Sequence, residues 1–155
     1  MRNKMTRDVA IFNKSRNNLE LNIQLELDML KEEIQEFWDA DTVAGRVDGY
    51  VDTDYVWIGT KIKYCYNVTD LPTALKSNVE MALELMSDYL KDELGEHYEE
   101  VITNARSIVC QANELKGKAK DENGKVIKDD KYREAIDATK RIALMIEEVT
   151  KPRSY

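Results

Sequence analysis

Apolar residues return every three or four positions through most of this chain, and almost nothing interrupts the rhythm. From Leu19 to Ala40 the positions Ile23, Leu27, Leu30, Ile34 and Phe37 fall on one face of a helix, with Leu21, Leu25 and Trp38 widening the stripe. Only two prolines and six glycines occur in 155 residues, too few to break such segments into strands and turns. The chain therefore reads as all-α. Five to six helices packed as a bundle are expected, and nothing divides residues 1–155 into more than one domain.

Further helices are predicted over Asp8–Ser15, with Val9 and Phe12 on one side, and over Thr42–Tyr66, with Val47, Val51, Ile58, Ile62 and Cys65 inward. Asn67 to Pro72 is a break. Thr73–Leu94 follows, with Val79, Leu83, Met86 and Leu90 in register and Gly95 as a left-handed cap residue. Glu99–Lys116 carries Val101, Ile108 and Leu115 inward, and Tyr132–Val149 closes the bundle. Between the last two, Asn123-Gly124 beside Val126-Ile127 suggests a short hairpin-like loop within 117–130. Helices this apolar in so short a chain predict burial against a second copy, most simply as a homodimer.

The net charge is −7, which disfavours a broad contact with nucleic acid. No apolar run approaches the roughly 20 residues that span a bilayer, and Met1 to Asn18 lacks the apolar core of a secretion signal. A cytoplasmic location is expected. Cys65 and Cys110, unpaired by any ligand spacing, read as buried small apolar residues, and the lone His97 reads as structural or solvent-facing.

The acids are more informative. Glu32, Glu33 and Glu36 are three and four apart on one predicted helix, and Asp48 and Asp52 are four apart on the next. Like charges at this spacing repel by a few tenths of a kcal/mol per pair, and a divalent cation between the helices would reverse that. Asp48 and Asp52 lie among Val47, Val51, Tyr55 and Trp57, where a purely solvated acidic face is harder to explain. Tyr55 extends their row and is a candidate substrate contact. Five lysines between Lys116 and Lys128 face only Asp121 and Glu122, a local excess of positive charge suited to a polyphosphate. No Gly-rich phosphate loop is present.

Three segments in this order, KEEIQEF at 31–37, VDGYVDTDYVWIGT at 47–60 and IVCQANELKGKAKDENGKVIKDDKY at 108–132, resemble the motifs of the MazG-like all-α nucleoside triphosphate pyrophosphohydrolases. That superfamily also includes the dimeric dUTPases and the phosphoribosyl-ATP pyrophosphohydrolases. The resemblance implies hydrolysis between the α- and β-phosphates of a nucleoside triphosphate, dependent on Mg²⁺ with Mn²⁺ as a substitute, by a homodimer or homotetramer. It implies Glu33, Glu36 and Asp52 as metal ligands, with Asp48 standing in for a glutamate that many members carry where this chain has Gly49. Glu32 or Glu33 would orient or deprotonate the attacking water. Asn113 would bind the nucleotide, Lys116, Lys125 and Lys128 would face the phosphates, and Tyr132 would stack on a base or simply pack. A dUTPase-type or phosphoribosyl-ATP-type activity and a catalytically silent helical interaction module are the alternatives.

Overall fold

The computed structural model describes residues 2–15, 19–67, 70–115 and 137–152. Among these the chain is all-helical: α1 (Arg2–Ser15), α2 (Ile23–Asp39), α3 (Val43–Tyr66), α4 (Thr73–Leu94), a 3₁₀ turn at Gly95–His97, α5 (Tyr98–Glu114) and α6 (Ala138–Thr150). No described helix is long and apolar enough to cross a membrane. The hairpin-like loop expected at 117–130 lies outside the described residues.

Local chemistry sets the boundaries. Asn22, not Leu19, opens α2, because its side-chain oxygen accepts the backbone N–H of Leu25 at 3.1 Å. Thr42 does the same for α3, accepting from Gly45 N–H at 3.0 Å. At the end of α4, Gly95 has φ 56° and ψ −128°, a positive φ as expected but a ψ outside the left-handed helical well. Its N–H closes onto the carbonyl of Lys91, and the chain turns directly into α5. The first helix begins earlier than its apolar pattern suggests, and Met5 joins Val9 and Phe12 in the interior.

α3 is the central helix and packs against all five others. Of its 24 residues 13 are buried, so it is enclosed on several sides and does not show a single stripe. Met5 and Val9 from α1, Phe37 from α2, Met86 and Leu90 from α4, Val101 and Val109 from α5, and Ile142 and Ile146 from α6 converge on Val47, Val51 and Ile58. A smaller cluster of Leu30, Trp57 and Val79 forms where α2, α3 and α4 meet. Arg46 at the start of α3 grips the Glu93 carboxylate of α4 with two donors and reaches the Ala40 carbonyl with a third. That pairing sets α4 antiparallel to α3.

α2 also runs antiparallel to α3. Asn67 donates to the Leu19 carbonyl at one end, and Phe37 meets Gly49 at the other. A Cβ at Gly49 would stand 2.9 Å from the Phe37 Cα, so the two backbones touch there.

Several inward assignments do not hold. Ile23 is half exposed, as is Trp38, because the buried row of α2 runs through Glu26, Leu30 and Phe37. Leu115 lies past the end of α5 and is exposed. Cys65 is exposed at the last turn of α3, while Cys110 is buried. Burial, with the nearby Asp8 carboxylate second, pushes the Cys110 thiol up to about 11. Thiolate is the reactive form, so a thiol reagent at neutral pH should modify Cys65 in the folded protein and Cys110 only after denaturation. One rapid equivalent in buffer and two in denaturant is the expected titration.

Candidate functional site

The five candidate acids sit on the α2–α3 pair. Glu33 is half-buried, Glu32 and Glu36 are exposed, and Asp48 and Asp52 are half-buried on α3. The antiparallel crossing at Phe37 and Gly49 places the C-terminal half of α2 beside the N-terminal half of α3. The stretch carrying Glu33 and Glu36 therefore lies alongside the stretch carrying Asp48 and Asp52.

Asp48 is held from another direction. Its Oδ2 accepts the Thr139 hydroxyl at 2.6 Å, from the first turn of α6. Its Oδ1 is shielded from solvent and has no hydrogen-bond partner among the described residues. A shielded carboxylate oxygen of this kind suits a hard cation or a donor from a ligand. Among the described residues, no three Asp, Glu, His or Cys side chains stand together as a group able to hold a metal ion. The four-carboxylate cage expected from the sequence is therefore not brought together there. The physical reason is visible at two positions: Asp48 is drawn to α6, and Glu36 stands exposed on the surface of α2. As donors these oxygens fit Mg²⁺, which is commonly bound by one or two carboxylates with substrate phosphates and water completing its shell.

The remaining candidates divide. Tyr55 is half-buried and packs edge-on against Phe12 of α1, ring centres 6.0 Å apart. Asn113 is buried near the end of α5, and its Nδ2 donates to the Val109 carbonyl at 3.0 Å, which ties one amide donor to its own helix. Two residues earlier, Gln111 accepts from Arg141 of α6 at 2.8 Å, which fastens the end of α5 to the beginning of α6. Lys116, Lys125, Lys128 and Tyr132 lie outside the described residues. His97, in the 3₁₀ turn, has its Nε2 3.6 Å from a Glu96 carboxylate oxygen.

Two buried pairs of opposite charges escape a reading of the sequence. Glu26 of α2 and Lys63 of α3 form an ion pair with side chains 3% and 4% exposed, and Thr60 donates to the second Glu26 oxygen at 2.7 Å. Asp54 of α3, 3% exposed, lies 3.8 Å from the Arg106 guanidinium of α5. An acid on the buried row of α2 is a faint signal for the first pair. Its partner becomes visible only once the antiparallel register is known.

Compared with protein-family models, with curated proteins and with solved structures, the chain finds no match.

Proposed function

We propose that this chain is a Mg²⁺-dependent nucleoside triphosphate pyrophosphohydrolase, releasing a nucleoside monophosphate and pyrophosphate. One observation carries the reading furthest. The Asp48 carboxylate is held on one oxygen by the Thr139 hydroxyl of α6, while its other oxygen is shielded from solvent with no hydrogen-bond partner among the described residues. It stands on the stretch of α3 that lies alongside the Glu33 and Glu36 stretch of α2. A shielded carboxylate oxygen beside further carboxylates is a donor set that suits Mg²⁺ carrying a substrate's phosphates.

In this reading Mg²⁺ would be held by one or two of Asp48, Asp52, Glu33 and Glu36, with the substrate's phosphates and water completing its shell. When bound, the ion offsets the negative charge that develops on the phosphate oxygens. Glu32, exposed one turn before Glu36, orients a water and accepts its proton, with Glu33 as the other candidate. Lys116, Lys125 and Lys128 bind the β- and γ-phosphates as point charges. Tyr55, Asn113 and Tyr132 contact the base or sugar.

Binding can be separated from turnover. A non-hydrolysable α,β-imido deoxynucleoside triphosphate with Mg²⁺, at about 100 times its Kd, stabilises the fold by roughly 2.7 kcal/mol. For a domain of this size that is a rise in Tm of roughly 5–10 °C. The rise should vanish with EDTA and in Asp52→Asn. No rise with any analogue would favour the interaction module over the enzyme.

A further inference from the structure

A second cleft lies on another side of α3. Asp54 follows Asp52 by two residues, about 200° around the helix, and it lines a cavity of about 260 Å³ between α3, α4 and α5. The cavity is smaller than the roughly 300–1,000 Å³ of sites for drug-sized ligands, so its occupant is small.

Arg106 supplies one pole of the cavity. Its Nε is shielded from solvent and has no hydrogen-bond partner among the described residues. The contact from its terminal nitrogen to Asp54 Oδ2 is 3.8 Å, beyond hydrogen-bond range. A guanidinium in this state presents a planar set of donors matched to a carboxylate. The α4 wall supplies the opposite pole: Glu84 and Asp88 are one turn apart and exposed, and they repel each other. Lys91 on the same wall turns its ammonium over the Tyr98 ring, 5.4 Å from the centroid. Tyr98 is itself hydrogen-bonded to Ser87 at 2.6 Å. Burial pushes the Tyr50 phenol up to about 12, which keeps it a neutral lining group.

The charges select the class of ligand. Asp54, Glu84 and Asp88 outnumber Lys91 and Arg106, three carboxylates to two cations, so a bare anion such as phosphate is disfavoured. A simple amine would leave Arg106 Nε unmet. We propose that this cleft binds a small zwitterion of the α-amino-acid class, its carboxylate on Arg106 and its ammonium between Glu84 and Asp88. The site is separate from the carboxylates of α2 and α3 and does not depend on the reaction assigned to them.

Amide chemical shifts of the full chain, titrated with each common amino acid and with acetate and methylammonium alone, test this. At least one amino acid should move the signals of residues 83–91 and 106 saturably, with at least about ten-fold tighter binding than either half-ligand, a gap of about 1.4 kcal/mol. Arg106→Lys should weaken binding by a similar factor. Asp88→Asn, at an exposed position that leaves the core intact, should do the same. The proposal is overturned if no amino acid moves these signals at millimolar concentration. It is equally overturned if acetate binds as tightly as the amino acids, or if Asp88→Asn leaves binding unchanged.

Discussion

Lys63→Ala should cost about 3–5 kcal/mol of folding stability, more than any other single charged-to-alanine change in α3. Lys63 and Glu26 are sealed inside the α2–α3 interface, and removing the ammonium leaves a carboxylate with only the Thr60 hydroxyl to meet it. An uncompensated charge in that setting is far costlier than a lost surface pair, which is worth about 0–1 kcal/mol. The pair itself need not be stabilising. Burial removes both groups from water, and that penalty is of the same size as their attraction. The double variant Glu26→Leu with Lys63→Met should therefore unfold at a urea midpoint equal to or above that of the parent, with an unchanged m-value. Thr60 keeps a partner in the double variant, because its hydroxyl also lies 3.0 Å from the Val56 carbonyl. The strongly non-additive result is the signature: a large loss in the single variant and none in the double. Equal, additive losses would mean that the two residues stabilise the interface independently.

Gly49→Val should cost about 3 kcal/mol, at the upper end of what overpacking does. A Cβ there meets Phe37 Cα at 2.9 Å, Phe37 N at 3.0 Å and Phe37 Cβ at 3.1 Å. Two of these three are backbone atoms, so relief requires α2 to move as a unit. Gly59 is the control. An added Cβ at that position first meets the Asn13 Nδ2 at 3.3 Å and a Val9 methyl at 3.6 Å, ends of side chains that can shift. Gly59→Ala should therefore lie within about 1 kcal/mol of the parent, its helix-propensity gain offsetting the contact. Urea unfolding of the two variants compares them directly. A Gly49→Val protein as stable as the parent would contradict the close approach of α2 and α3.

That contact also fixes which residue types position 49 accepts. Any side chain there would bring its Cβ to within 2.9 Å of the α2 backbone. Asp48, one residue earlier on α3, instead meets Thr139 of α6. The close approach is not visible in the local sequence, because the atoms that impose it lie 12 residues upstream, folded back across the helix.

Helix content was legible because breakers are rare and the periodicity is long; α4 appears with the boundaries its pattern predicts, Thr73–Leu94. Boundaries shifted where a side-chain cap overrode the apolar rhythm, as at Asn22. The all-round burial of α3 was less legible. Thr53, Asp54, Thr60 and Lys63 are all buried, and a pattern of apolar residues cannot announce a polar core. Thr53 donates to the Gly49 carbonyl, Thr60 and Lys63 meet Glu26, and Asp54 faces Arg106 only at 3.8 Å. At the candidate site the spacing of the acids, with the residues around them, marks which ones share a helix face. The link between Asp48 and α6 joins residues 91 apart in sequence, and no local pattern encodes it.

The most direct measurement is pyrophosphate release from a panel of ribo- and deoxynucleoside triphosphates, with Mg²⁺ and with EDTA, by the parent and by Glu36→Ala. Glu36 is exposed, so its removal should leave the fold intact and report on chemistry alone. Release should require Mg²⁺, favour particular nucleotides, and fall at least about 100-fold in Glu36→Ala, a loss of roughly 2.7 kcal/mol of transition-state stabilisation. Folded parent protein that releases no pyrophosphate from any nucleotide, or a Glu36→Ala variant as active as the parent, would contradict it.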